Sequence, residues 1–353
     1  MQKFKMLKNL KISVILSTHN RPKLLSNCLE SLANQSLDYS KYEIILIDNY
    51  SSDNGKGTEK IFKNIVEKYP SLNIKLYFEK IIGGMTLPRH VGIDNSNGEI
   101  IICADDDYVA DHRLLEEALK CFDDKSIHAI CGKLYPSYET PPPKWVNAIT
   151  TSLPDGGYYI TDFSVIDLGN KSHEINWMYM FWSNWGIRRE IYDQLNGFGP
   201  DGFAGEFMFY NGTGEHFLNK EIGRRGYKMV YCSGMSASHH VANYRYTKKY
   251  FKARYFHYGI VNSFQRVNEN ERVDTYPENF FYVLSKFRQL IKDLIKMPFF
   301  LKLRMIWVIS GYLEHQKKVK QNNFLFNFCR IKNYKKFDFS KLIPFKNKRP
   351  GLW

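Results

Sequence analysis

No stretch of this chain strings together the ~20 apolar residues that a membrane-spanning helix needs. No Gly-x-Gly-x-x-Gly opens a helix after the first apolar run, which disfavours a dinucleotide-binding dehydrogenase. The N-terminal lysines precede an apolar run at residues 12–16 that is too short for a secretion signal, and no small-residue cleavage site follows. Cysteine is sparse: Cys28, Cys103, Cys121, Cys131, Cys232 and Cys329 show neither metal-ligand nor paired spacing. That scatter reads as reduced, structural thiols in a cytoplasmic protein. Basic charge is plentiful, but only at one end. Residues 241–353 hold 24 Lys and Arg against 7 Asp and Glu, whereas the remainder holds 26 against 29. On charge alone such a block suits nucleic acid or an anionic membrane surface equally well.

The 353 residues, 44% of them hydrophobic, suffice for one large domain with an appendage. Apolar, β-branched runs at 12–16, 42–47, 74–78 and 100–103 alternate with stretches of helical spacing such as Leu24, Leu25, Cys28, Leu29 and Leu32. The order βαβαβαβα predicts an α/β fold with a parallel, doubly wound sheet. The fourth run ends in Asp105-Asp106-Asp107. Open α/β sheets bind ligands at the carboxyl ends of their strands. Three adjacent carboxylates there repel one another unless a cation faces them, and hard oxygen donors favour Mg²⁺ or Mn²⁺ shared with substrate phosphates. The competing reading is that these aspartates merely cap the next helix.

Beyond residue 130 the pattern changes, with Pro141-Pro142-Pro143 followed by aromatic-rich segments. Most of those rings suit a hydrophobic core; Asn184 and Trp185 stand out as a polar edge beside a ring that a sugar could stack on. Gly212-Thr213-Gly214-Glu215-His216 then opens an amphipathic helix. A carboxylate there can face a cleft as a general base, or simply favour the helix dipole. A histidine of Ser238-His239-His240 would complete a metal site begun by the aspartates, or serve as an ordinary hydrogen-bonded residue.

Taken together, "ISVILSTHNRP", "YEIILIDNYSSD", "GGMTLPRHVGIDNSNGEIIICADDDYV", "NWGIRREIYDQLNGF" and "GEHFLNKEIGRRGYKMVY" resemble, in order, the blocks of glycosyltransferase family 2. The resemblance implies the A-type glycosyltransferase fold, a mostly parallel central sheet flanked by helices, here with a C-terminal helical extension. It implies a nucleotide-sugar pocket formed by Thr18, Asn20 and Arg21, with Asp48 accepting from the base and Arg89 near the diphosphate. Asp105 would contact ribose or metal and Asp106 the donor, and Asp107 of the Asp-x-Asp motif would ligate Mn²⁺ or Mg²⁺ with His240. Where the family has Gly-Glu-Asp this chain has Gly-Glu-His, so Glu215 and His216 compete for the role of base. Arg245 and Arg254 take phosphate-contact positions, and Asn184 and Trp185 acceptor positions.

These readings divide the chain into a catalytic domain at 1–241, with a nucleotide-binding half to about 130 and an acceptor half beyond it, and a basic helical region at 242–353. The expected reaction is inverting transfer from a nucleotide sugar, with a UDP-sugar favoured, to a glycan or lipid-linked acceptor in surface polysaccharide synthesis. Phe287, Leu290, Ile291, Leu294 and Ile295, with Lys286, Arg288, Lys292 and Lys296 elsewhere on the wheel, resemble an element lying in a membrane interface. The expected location is therefore cytoplasmic with peripheral membrane contact, and residues 324–353 are expected to be poorly ordered. A sugar nucleotidyltransferase would need a Gly-rich phosphate loop after the first strand, and residues 17–22 contain no Gly. A basic nucleic-acid-binding protein would leave the sheet-end aspartates unexplained, so nucleic acid is not an expected partner.

Overall fold

The computed structural model describes residues 10–79, 84–179, 184–203, 205–296 and 301–342, leaving aside the side chains of residues 206, 289–296 and 342. The first half alternates as its periodicity predicts: β1 (Ile12–Thr18), α1 (Pro22–Ala33), β2 (Tyr42–Asp48), α2 (Lys56–Lys68), β3 (Asn73–Phe78), α3 (Thr86–Asp94), β4 (Ile100–Asp105), the short β5 (Tyr108–Ala110) and α4 (Leu114–Cys121). Pro22 starts α1, where its fixed φ and missing N–H cost nothing. The strands β3, β2, β1 and β4 lie side by side in that order and run parallel. β4 is buried along its length except at Asp105, because helices cover both faces of a parallel sheet.

The second half adds β6 (Ile127–Tyr138), the short strands β7 (Thr151–Ser152), β8 (Tyr158–Ile160), β9 (Val165–Asp167) and β10 (His173–Glu174), then β11 (Asn184–Arg188), α5 (Arg189–Gln194), α6 (Glu215–Arg224) and β12 (Lys228–Val241). β11 inserts antiparallel between β4 and β6. β12 runs parallel to β6 and antiparallel to β5. The register sets Ser17 opposite Asp105 and Thr18 opposite Asp48, so one end of the sheet collects the polar termini of three strands.

Among the described residues the helices α7 (Lys248–Asn270), α8 (Tyr276–Lys296), α9 (Arg304–Gln321) and α10 (Asn323–Cys329) follow. The boundary drawn at residue 241 divides the sequence by charge but does not divide the core. One apolar cluster joins Ile160, Phe163 and Val165 to Phe251, Leu301 and Trp307. Another joins Phe203, Phe207 and Tyr210 to Phe264, Val319 and Phe328. α7 and α9 meet backbone to backbone: a Cβ on Gly259 would lie 2.0 Å from the Val308 carbonyl oxygen, and one on Gly311 1.9 Å from that of Phe256.

Two expectations are corrected. Residues 324–342 are not loose, for Leu325, Phe328, Cys329, Tyr334 and Phe339 are buried in the second cluster; a Lys- and Asn-rich composition hid an apolar face of large aromatics. Residues 343–353 lie outside the described residues. The thiols are not all reduced, since Cys121 and Cys232 form a disulfide across a sequence separation of 111. No spacing announces that bond; it follows from the packing of the end of α4 on β12. Cys28, Cys103, Cys131 and Cys329 are buried thiols outside that disulfide. Among the described residues no helix is long and apolar enough to cross a membrane.

Candidate active site

The carboxyl end of β4 opens on a cleft of ≈ 1710 Å³ lined by Arg21, Asp105, Asp106, Asp107, Glu215, His216, His239 and Arg245, with one wall made by α7. The three aspartates have separate partners. Asp106 accepts from Thr18 Oγ1 at 2.7 Å and from Arg21 Nη1 at 3.0 Å, which ties the turn after β4 to the loop after β1. Burial pushes its carboxyl up to about 7, with Asp107 adding and Arg21 and Thr18 opposing.

Asp107 is surrounded by nitrogen donors from three elements. Oδ2 accepts from Arg21 Nη1 at 3.3 Å and Arg245 Nη2 at 3.4 Å, and Oδ1 lies 3.4 Å from His239 Nε2. Burial opposes ionisation, but His239, Arg245 and Arg21 together hold this carboxyl well below the usual carboxylate range. The histidine beside Asp107 is therefore not the one the resemblance selects. His240 gives Asp107 only its backbone N–H, to the carbonyl oxygen at 2.8 Å. Neighbouring side chains on a strand point to opposite faces, so in β12 only His239, opposite Tyr108, turns its ring to the aspartates.

Asp105 accepts from Arg89 Nη2 at 3.1 Å, and Arg89 Nη1 donates to Glu215 Oε1. Arg89 is buried as a bridge between β4 and the first residue of α6, and it does not line the cleft. Glu215 follows Gly214, whose φ of +54° turns the chain into α6. His216 meets the edge of Trp177 at 5.8 Å, and burial lowers its pKa.

The remaining sequence candidates sit around this centre. Asp48 accepts from Ser51 N and Thr58 Oγ1 at the end of β2, and Asn20 Oδ1 accepts from Ser52 N; both brace the loops beneath the cleft. Asn184 Nδ2 donates to the carbonyls of Lys133 and Met235, stitching β6 to β12, and Trp185 is a buried core ring; neither reaches the cleft. Arg254 lines the cleft from α7, its Nε on Asp162 Oδ1 at 3.2 Å and its guanidinium between the rings of Tyr250 and Tyr258. Residues 80–83, including the first glycine of the Gly-Gly loop, lie outside the described residues.

Two cleft residues carry no signal in the sequence. The resemblance selects His240 and not His239, and only strand register separates the two. Asp201 lies in Gly199-Pro200-Asp201-Gly202, a composition that signals a turn and no chemistry. Yet its carboxylate faces the cleft between α6 and α7.

Comparison with known proteins bears on this geometry. A family model described as glycosyl transferase family 2 matches residues 13–195. Over 123 residues the chain is 31% identical to the poly(ribitol-phosphate) beta-N-acetylglucosaminyltransferase TarP of Staphylococcus aureus, a match that spans 35% of this chain and 36% of TarP. It is 22% identical over 288 residues to the O-antigen chain rhamnosyltransferase WbaN of Salmonella anatum, spanning 82% of this chain and 83% of WbaN. Among solved structures, the mannosyltransferase PcManGT from Pyrobaculum calidifontis, in complex with GDP-Man and Mn²⁺, superposes with a TM-score of 0.53 at 15% identity, covering 93% of this chain and 88% of that one. That likeness extends to the fold, the A-type glycosyltransferase fold. The matched stretch runs from β1 through the sheet-end aspartates to the end of α5, and the chain belongs to glycosyl transferase family 2.

Proposed function

We propose that the chain transfers a glycosyl unit, with inversion, from a nucleotide-sugar donor to a hydroxyl of a glycan or lipid-linked acceptor in surface polysaccharide synthesis. The observation that carries this reading is the joint presence, in one cleft, of cation-lined carboxylates at the end of β4 and of acid–base side chains around the start of α6, Asp201 among them. The first set suits a diphosphate, the second a hydroxyl. TarP and WbaN, by name, act on poly(ribitol-phosphate) and the O-antigen chain, which favours a surface polymer. A UDP-sugar is the favoured donor.

Among the described residues no group of three or more His, Cys, Asp or Glu side chains is arranged to cage a metal ion. Mg²⁺ or Mn²⁺ held by one or two carboxylates and completed by substrate phosphates and water would need no such cage. Asp107 would hold it, with Asp105 and His239 beside. When bound, such an ion neutralises charge on the diphosphate. Arg21 and Arg245, both reaching into the cleft, supply fixed positive charge for the same group.

The helix α8 supports contact with an anionic membrane. Tyr276, Phe280, Phe281, Leu284 and Phe287 are exposed on it, with Arg288 adjacent. The apolar positions 290, 291, 294 and 295 have side chains outside the description. An interfacial helix of this kind would hold the enzyme where a lipid-linked acceptor lies.

Thermal unfolding with UDP, GDP and TDP, each with Mn²⁺, with Mg²⁺ and with chelator, tests the donor site. A ligand at ~100 times its Kd adds about 2.7 kcal/mol. Stabilisation by one diphosphate, lost with chelator and in Asp107→Ala, is the expected result. A folded protein indifferent to every nucleotide would overturn the reading.

A further inference from the structure

We propose that Asp201 is the proton acceptor of the transfer and that Glu215 is a positioning residue acting through Arg89. The inference rests on the transferase reading and deepens it.

A base needs a lone pair open to the acceptor. Glu215 has little to offer, with its side chain 12% exposed, Oε1 committed to Arg89, and the carboxylate also accepting from its own backbone N–H. Arg89 in turn is shared with Asp105, so Glu215, Arg89 and Asp105 form an acid–cation–acid chain from α6 to β4 with the arginine buried at its centre. Removing a proton with Glu215 would disturb the charge balance of that chain.

Asp201 is differently placed. Its side chain is 30% exposed and its carboxylate lines the same cleft. Oδ1 accepts from Gly202 N at 2.8 Å and lies 3.7 Å from His257 Nε2 on α7. Among the described residues Oδ2 accepts no hydrogen bond. The loop is built to bring it there: its carbonyl accepts from Met85 N at 2.8 Å, and a Cβ on Gly84 would lie 1.9 Å from that oxygen. A Cβ on Gly214 would lie 2.8 Å from Asp201 Oδ2. Two glycines thus let Asp201 sit between the start of α3 and the start of α6.

The charged and titratable groups facing it are His257 and Arg254 from α7, Arg89 from α3, Asp105 from β4 and Glu215 from α6. Burial, with Asp105 adding, raises its carboxyl against the pull of Gly202 N–H, Arg89 and Arg254. A raised value suits a group that takes a proton near neutral pH.

In the step, the acceptor hydroxyl gives its proton to Asp201 Oδ2 as its oxygen bonds the anomeric carbon. The bond from that carbon to the phosphate oxygen breaks, and its electron pair leaves on the nucleoside diphosphate. Asp201, now a neutral acid, returns the proton to solvent. Water in place of the acceptor makes the same step a hydrolysis.

The test uses the full chain with UDP-, GDP- and TDP-sugars, water as acceptor, and release of the nucleoside diphosphate as readout. Asp201→Asn is expected to lower turnover by ~10²–10⁴-fold while thermal stabilisation by the diphosphate is unchanged. Formate is expected to restore part of the turnover of Asp201→Ala and none of that of Glu215→Ala, a rescue that a structural role would not produce. Should Asp201→Asn not fold, Asp201→Glu keeps the charge and displaces it, and a fall in kcat at unchanged donor KM supports the assignment. Near-normal turnover in Asp201→Asn, or formate rescue of Glu215→Ala alone, overturns the assignment and leaves the transferase reading standing. No release from any sugar by the unmodified chain overturns that reading, and the assignment with it.

Discussion

The imidazole of His239 on β12 and the carboxylate of Asp107 in the turn between β4 and β5 approach to 3.4 Å, while His240, one residue on, gives the same aspartate only its backbone N–H. A shift of one position along β12 exchanges which ring faces the cleft.

This pairing predicts an unequal response to two alanine substitutions. His239→Ala is expected to weaken Mn²⁺-dependent binding of the nucleoside diphosphate by roughly 10–100-fold, the cost usual for losing a group that orients a metal ligand. His240→Ala is expected to change it by less than about 0.5 kcal/mol, as for side chains away from a site. Titration calorimetry of both variants decides it. The reverse order would mean that β12 slips by one residue when the donor binds.

Buried histidines give a pH dependence whose sign can be worked out. His90 Nε2 accepts from Phe198 N at 3.0 Å, and burial, reinforced by Lys335 and Arg89, lowers its pKa to about 3. His315, between Ser263 Oγ and the Phe209 carbonyl, is lowered by burial to about 4. Each folded value lies below the unfolded one, so the unfolded chain binds more protons in between. Stability is fully present above the unfolded value of about 6.5 and is lost as pH falls toward the folded values, at up to about 1.36 kcal/mol per unit for each group. Urea midpoints measured from pH 7.5 to pH 5 should fall, and His90→Gln, which keeps an acceptor for Phe198 N, should flatten the fall. An unaltered slope in that variant would show that His90 does not titrate with unfolding.

Much of this architecture is legible in the sequence. The alternating runs give the four parallel strands because a strand buried on both faces must be apolar throughout, and 100–103 is. The carboxylates at its end mark the site because no packing requirement would put three there. What is not legible depends on contacts between distant segments. Arg89 reads as a phosphate ligand by position but is enclosed between Asp105 and Glu215. Trp185 reads as a stacking platform but packs against Phe198 in the core, a contact between segments that local composition does not announce. The Cys121–Cys232 bond depends on the packing of α4 on β12 and the place of Asp201 on a loop path, and local composition encodes neither.

The aromatic face of α8 gives a prediction about lipid. Phe280 and Phe281 are 55% and 65% exposed. Fully burying a Phe side chain is worth about 1.5–3 kcal/mol, and a basic residue near an anionic surface about 1 kcal/mol. Cosedimentation with phosphatidylglycerol vesicles should exceed that with phosphatidylcholine vesicles, and Phe280→Ser with Phe281→Ser together should cut it at least tenfold. Vesicle binding unaffected by that pair would remove α8 from the contact, and a concentration-dependent dimer lost with the same pair would identify a second chain as what covers the face.

The two clusters that run through α7, α9 and α10 have a practical consequence for anyone trimming this chain at the end of β12. A protein ended at residue 241 would not be a smaller version of the enzyme. It would lack one side of its own cleft and would present Phe163, Phe203, Phe207 and Tyr210 to water, so its fate in the test tube would be decided by aggregation. Swapping segments among relatives has the same constraint: the helices after 241 must travel together with the residues between 160 and 210 on which they rest.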